Sequence, residues 1–378
     1  MMKPLCLLPW TSIDIRPNGT IAPCCKYRET PEEKLNITQV SISDYTNSTF
    51  LKNVKDTMLQ NKWPEGCFRC RQEEASGIKS KRILDYERWP TEFDTYTEDK
   101  GYIIAAIAFG NTCNLKCITC HSSASSLWRK EYFDIYGVDE APVDKLSSDS
   151  REIYDAMPNI IHLDIPGGEP FLSEIKKQKR LLQKYVESGR SKDISLHYTT
   201  NGQIFPNTEW WNLWQNFKEI DMQLSIDGVG KRYEYIRFPG KQDIIERNVE
   251  MFIEKEKTNN NLRLSVSHTV SSYNIYYLTE FFNWCEQVGL PRPWCGVVNT
   301  PKHMRPQVYP LAIKNKIIEH LKGSRYEDVQ TWATYLTDND SSEHYEEFLR
   351  LTDIHDLYRK LNFANTFPEV KELIDVVK

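Results

Sequence analysis

The sequence predicts an α/β fold organised as a partial (β/α)6 TIM-like barrel, and three observations support this. Strand-sized apolar runs recur at Ile103–Phe109, Ile160–Ile165, Ile194–Thr199, Gln223–Ile226, Leu262–Val270 and Trp294–Val298. Amphipathic helical stretches separate them, for example Ile244–Glu256 and Ile275–Gln287. Such alternation implies a parallel sheet with right-handed crossovers, and six units fall short of the eight that close a full barrel. The third observation is strand parity. Ile161, Leu163 and Ile165 face away from His162 and Asp164, and Ile194, Leu196 and Tyr198 face away from Ser195, His197 and Thr199. Leu224 and Ile226 likewise oppose Gln223, Ser225 and Asp227, while Ser265 and Ser267 mark a polar face on the fifth run. A closed barrel fills its interior with branched apolar side chains; a polar inner face suits a solvated lumen instead. An ordinary half-exposed sheet is the other reading of this pattern. On parity alone, Asp164, His197 and Gln223 are candidates for substrate contact or proton transfer.

The remaining elements follow in chain order. Residues 1–82 are loop-rich, with a short hairpin expected over Ile13–Ala22, where Pro17, Asn18 and Gly19 supply the turn. Residues 83–100 are polar and read as a linker. Residues 101–305 hold the strand–helix units. Residues 306–378 read as a charged helical cap anchored by Tyr309, Ile317, Tyr345, Phe348 and Leu351.

Composition removes several function classes. The chain has 378 residues, 40% hydrophobic and 27% charged, which is enough for two or three packed domains. A net charge of −5 gives no positive field for bulk nucleic-acid binding. No apolar run reaches membrane-spanning length, and the N-terminus lacks a signal-like apolar core, so a cytoplasmic protein is expected. Eight of the ten cysteines cluster: Cys6, Cys24, Cys25, Cys67 and Cys70 come first, then Cys113, Cys117 and Cys120, while Cys285 and Cys295 stand apart. In a reducing compartment such grouping favours metal over disulfides.

Cys113, Cys117 and Cys120 directly follow the first strand of the barrel. Three thiolates on one short loop can hold three irons of a cubane and leave the fourth open, whereas structural zinc wants a fourth ligand. Gly167-Gly168-Glu169-Pro170, Thr199-Thr200-Asn201-Gly202 and Ser225-Ile226-Asp227-Gly228 then follow at the C-terminal ends of successive strands, where parallel sheets bind ligands. This ordered series resembles the radical S-adenosylmethionine superfamily over roughly Gly101–Pro306. The resemblance implies that Cys113, Cys117 and Cys120 ligate a [4Fe–4S] cluster whose open iron is chelated by S-adenosylmethionine. It also implies that Gly167, Gly168 and Glu169 receive the methionine amino group, that Ser225 and, less directly, Asp227 contact the ribose, and that Arg237 pairs with the methionine carboxylate. Asn201 is a further contributor. The residue before the last cysteine, commonly aromatic in that family, is Thr119 here, which leaves adenine packing open.

A second set lies near the N-terminus. Cys6 and Cys24 bracket Gly19 in a CX12GX4C spacing, and Cys67 and Cys70 form a CxxC pair. A zinc ribbon with four thiolate ligands fits this chemistry as well as an iron–sulfur cluster does. The spacing and the Cys-Leu-Leu-Pro-Trp opening resemble the auxiliary-cluster modules called twitch or SPASM domains. That likeness implies a second [4Fe–4S] cluster on Cys6, Cys24, Cys67 and Cys70, with Cys25 the alternative to Cys24. The stretch Glu73–Arg82 carries no chemistry of its own in this reading.

Taken together, the resemblance implies reductive cleavage of S-adenosylmethionine to a 5′-deoxyadenosyl radical that abstracts a substrate hydrogen. A peptide or protein substrate is expected, with a flavodoxin- or ferredoxin-type electron donor and no nucleic-acid or membrane partner. A sugar or nucleotide substrate, or a non-catalytic iron–sulfur or zinc scaffold, is the alternative. Cys285 sits at helical spacing with Leu278, Phe281 and Phe282 and reads as core.

Overall fold

The computed structural model describes residues 5–75, 79–138, 150–338 and 340–377; Ser76–Ile78, within the Glu73–Arg82 stretch, lie outside them. Among the described residues there are nine strands: β1 (Ser12–Ile15), β2 (Thr20–Ala22), β3 (Leu35–Asn36), β4 (Ile104–Ile107), β5 (His162–Ile165), β6 (Ser195–Thr200), β7 (Glu219–Ser225), β8 (Leu262–Val270) and β9 (Trp294–Val297). They hydrogen-bond in the order β3-β2-β1-β4-β5-β6-β7-β8-β9, and among the described residues no pairing joins β3 to β9. The sheet is therefore open, and β4–β9 form the expected six-strand partial barrel.

The chain divides into two compact units. Met1–Thr112, Pro142–Thr199 and Pro206–Asp221 make the first; Cys113–Ala141, Thr200–Phe205 and Met222–Lys378 make the second. In the first, β1 and β2 form the antiparallel hairpin, with Gly19 at φ +77° in its turn. A feature not legible in the sequence is that β1 then runs parallel to β4, pairing Ser12 with Ile104 and Ile15 with Ile107. The N-terminal hairpin thus extends the barrel sheet. Residues 83–100, expected as a linker, carry the helices Lys81–Arg88 and Pro90–Asp94. Phe93 is buried with Leu8, Ile103 and Ile104, and Trp89 packs against the same cluster. Two aromatic side chains bury enough apolar surface to fasten this polar segment in place.

Along β6 and β7 the apolar positions are the buried ones: Leu196, Tyr198, Ile220, Met222 and Leu224 point into the helix-covered face. The alternation puts Ser195, His197 and Thr199 on the opposite face, as parity requires. In the second unit β8 and β9 pair in parallel. The C-terminal region is helical over Leu311–Lys322, Glu327–Asp338, Tyr345–Arg359 and Pro368–Val377, and Tyr309, Ile317, Phe348 and Leu351 are buried. Among the described residues no helix is long and apolar enough to cross a membrane.

Candidate functional site

The Cys113–Cys120 loop lies in the second unit and is pinned from several sides. The Lys116 amide donates to Phe238 O and the Ile118 amide to Ile236 O, both at 2.7 Å. These two bonds bracket Cys117 on one segment and Arg237 on the other, so the sequence-distant guanidinium is set beside the thiols. Trp128, fully buried, donates its indole N–H to Cys117 O at 2.7 Å, and Ser125 Oγ donates to Leu115 O at 2.6 Å. Asn201 donates from Nδ2 to Asn114 Oδ1 at 2.8 Å and lies 3.9 Å from Cys113 Sγ. Burial raises the Cys117 thiol, and pushes that of Cys120 up to about 12. Desolvated thiols of this kind persist as thiolates where a bound cation compensates them.

Arg237 is buried, and its Nη2 lies 2.8 Å from Asp227 Oδ2. Burial works against its charge, and Asp227, then Cys117, outweighs that effect. Asp227 also accepts the Thr269 amide at 2.7 Å, which leaves it engaged on two sides. Asp227 thus holds Arg237, whose Nε has no hydrogen-bond partner among the described residues. Ser225 closes β7 and is half-buried.

In the first unit, Gly167 and Gly168 press against the backbone that leads into the cysteine loop. The Gly168 amide donates to Gly110 O at 3.2 Å, and the Glu169 amide to Thr112 O at 2.8 Å. A Cβ on Gly168 would stand 2.4 Å from Thr112 O, and Gly167 sits at φ +145°. Glycine is needed here for close approach. Gly168→Ala is expected to cost about 1–3 kcal/mol through overpacking, read as a lowered unfolding midpoint in urea. Unchanged stability would mean the loop can retreat. Glu169 is fully buried.

The N-terminal thiols influence one another: Cys6 feels Cys67 and Cys70, Cys24 feels Cys25 and then Cys6, and Cys67 feels Cys24 and Cys70. Burial pushes Cys6 up to about 12. Cys25 acts on Cys24 and is itself influenced by Lys81, Asp14, Asp164 and Asp85. Around the four thiols stands a network that sequence reasoning missed. Arg82 binds Glu74 through Nε at 2.6 Å and Nη2 at 2.5 Å, and Ser80 Oγ donates to the same carboxylate at 2.5 Å. The available signal was a charged pair eight residues apart beside a CxxC motif.

Among the described residues no disulfide joins the cysteines, and no three or more His, Cys, Asp or Glu side chains form a group that could hold a metal ion. Each thiolate of a cubane takes a separate iron at a separate corner, so its ligands stand farther apart than those around one zinc. Thiols close enough to influence one another, none of them in a disulfide among the described residues, fit the cluster.

Asp164 and His197 are cross-strand neighbours on β5 and β6. His197 Nδ1 lies 2.8 Å from Asp221 Oδ2, a partner that parity alone did not reveal. Burial lowers the imidazole's pKa, but the bond to Asp221 and the nearby Asp164 raise it above its ordinary value. Burial also raises Asp164. His197 and Asp221 form a dyad able to take up or release a proton.

Residues 6–71 match SPASM, the iron–sulfur cluster-binding domain. This SPASM-like segment includes Cys6, Cys24, Cys25, Cys67 and Cys70. No curated protein matches the chain. Among solved structures, native anSMEcpe with bound AdoMet and Kp18Cys peptide is 16% identical, with a TM-score of 0.42 over 58% of this chain and 57% of its own. Streptococcus suis SuiB bound to precursor peptide SuiA is 14% identical, with a TM-score of 0.39 over 73% of this chain and 61% of its own. The chain therefore spans less than two thirds of the length of either structure.

Proposed function

We propose that this protein is a radical S-adenosylmethionine enzyme with an N-terminal auxiliary cluster, acting on a peptide or protein. The observation that carries the reading is the pair of backbone bonds that sets Arg237 opposite Cys117 in the three-cysteine loop. A [4Fe–4S] cluster there would supply the electron that splits S-adenosylmethionine into methionine and a radical able to abstract hydrogen from the substrate. Cys113, Cys117 and Cys120 would hold it, with Asn201 beside the first thiol. Arg237, oriented by Asp227, suits a carboxylate through its planar fork. Gly167, Gly168 and Glu169 suit an amino group, and Ser225 a ribose hydroxyl.

At the N-terminus, the coupling of Cys6, Cys24, Cys67 and Cys70 and the SPASM match support a second cluster. Because Cys24 feels Cys6, acts on Cys67 and ends the CX12GX4C spacing, it is the proposed ligand rather than Cys25. A cluster in that place would accept an electron from the substrate.

The test is iron and sulfide content after anaerobic reconstitution, together with 5′-deoxyadenosine formation under dithionite. About eight irons with nucleoside release supports the reading. Cys24→Ala should bring this to about four, and Cys25→Ala should leave it at about eight. No cleavage with a filled three-cysteine site would favour the scaffold instead. Alanine at His197 or Asp164 should lower the ratio of product to 5′-deoxyadenosine at least tenfold. An unchanged ratio for both variants would remove them from the reaction.

A further inference from the structure

A cavity of about 150 Å³ opens on the polar face of β1, β4, β5 and β6, within the first unit. Its floor is one cross-strand row, Asp14–Ala106–Asp164–His197, because those residues are register partners on four successive strands. Register partners project to the same face, and the small side chain of Ala106 leaves the gap between the two carboxylates. His162 lies two residues along β5 on that face. Lys81, Asp85, Arg88 and Trp89 form the facing wall, and Cys25 also borders the space.

The charged groups around it are almost all engaged. Lys81 pairs with Asp85 at 2.7 Å, and Arg88 lies over the Trp89 ring at 4.8 Å. Arg16 pairs with Asp14 at 3.1 Å but shares itself with Glu29 at 2.8 Å, and His197 pairs with Asp221. Among the described residues Asp164 makes no ion pair, and its Oδ1 is buried without a hydrogen-bond partner. His162 is 6% exposed, and its Nδ1 is also buried and unpartnered. Burial, then the charges of Arg88, His197 and Lys81, hold that imidazole down to about 3, so it stays neutral. Burial also lifts Asp14 to about 6 despite Arg16. A buried polar atom without a partner calls for one. A carboxylate oxygen and a ring nitrogen of neutral imidazole can both accept, and an ammonium has three N–H donors.

We propose that this cavity binds a cationic nitrogen group, an alkylammonium of lysine-side-chain size, between Asp164, Asp14 and His162. Its volume, about five waters' worth at ~30 Å³ each, suits a short aminoalkyl chain. The inference rests on the proposed function only in calling that ligand part of a substrate.

The test is calorimetric titration of the full chain, prepared anaerobically and without S-adenosylmethionine, so failure here is separate from failure to cleave S-adenosylmethionine. Acetyl-Gly-Lys-Gly-amide, its norleucine counterpart and butylammonium chloride are the probes. The lysine peptide or butylammonium should bind at least tenfold more tightly than the norleucine peptide. Tighter binding of the lysine peptide identifies a peptide source, and equal binding a free amine; either supports the site. Asp164→Asn should remove the preference. Ala106→Leu should block entry with every charge kept, which guards against a misfolded Asp164 variant. Equal binding of lysine and norleucine peptides, no binding of either cation, or no effect of both substitutions would overturn the proposal.

Discussion

Cys117→Ala is expected to abolish 5′-deoxyadenosine formation, with a loss of at least a thousandfold, and to lower iron from about eight to about four per chain. The argument turns on what remains after the thiol is removed. The backbone of residue 117 is held by the amides of Lys116 and Ile118 and by the Trp128 indole, none of which uses the sulfur. The loop should therefore fold, and the loss should be that of a ligand. Thermal unfolding close to wild type, with the N-terminal iron retained, would separate the two causes. Cys285→Ala, at a buried helix position, is the control and should keep cleavage. Cleavage that survives in Cys117→Ala would end the assignment of this loop.

Glu131→Ala should cost about 3–5 kcal/mol, the usual result of removing one partner from a buried ion cluster. Glu131 is 1% exposed and follows the cysteine loop on the helix Arg129–Tyr136. One oxygen takes Arg359 Nε at 2.5 Å and lies 3.6 Å from His355 Nδ1; the other lies 2.5 Å from Lys116 Nζ. Its carboxylate thus ties the helix Tyr345–Arg359 to the loop that carries Cys117. Arg359 also lies over the Trp128 ring at 4.6 Å. Burial would raise the Glu131 carboxyl, but His355, Arg359 and Lys116 pull it to about 2. A folded value below the ordinary 4.5 means the stabilisation is present above that pH and fades as pH falls toward 2. The wild type should accordingly lose its advantage over Glu131→Gln in urea titrations across that acid window. A stability gap independent of pH would contradict this account.

Chemistry carried by contiguous residues could be read directly from the chain. The cysteine spacings, the Gly167–Gly168 pair and the polar faces of β5 and β6 depend on local order and a period of two. Thus β8 spans the expected Leu262–Val270, and His197 lies on the face that parity assigns. The segment 83–100 is polar in sequence, yet Phe93 is buried and Trp89 partly buried against Leu8, Ile103 and Ile104, contacts that local order does not reveal. The helical cap was expected, but the bond from its helix Tyr345–Arg359 to Glu131 was not, since nothing local links residues 131 and 359.

What the sequence determined by itself was therefore the set of groups available for chemistry and the faces on which the strands present them. Only the tertiary structure decided their partners: Asp227 for Arg237, Asp221 for His197, and β1 beside β4. Each partnership joins residues that chain order leaves unspecified, by strand register or by the backbone pairing of Lys116 and Ile118 with residues 236–238. Such pairings are selected because burying a charge is costly without its partner, a condition that exists only once the chain has packed.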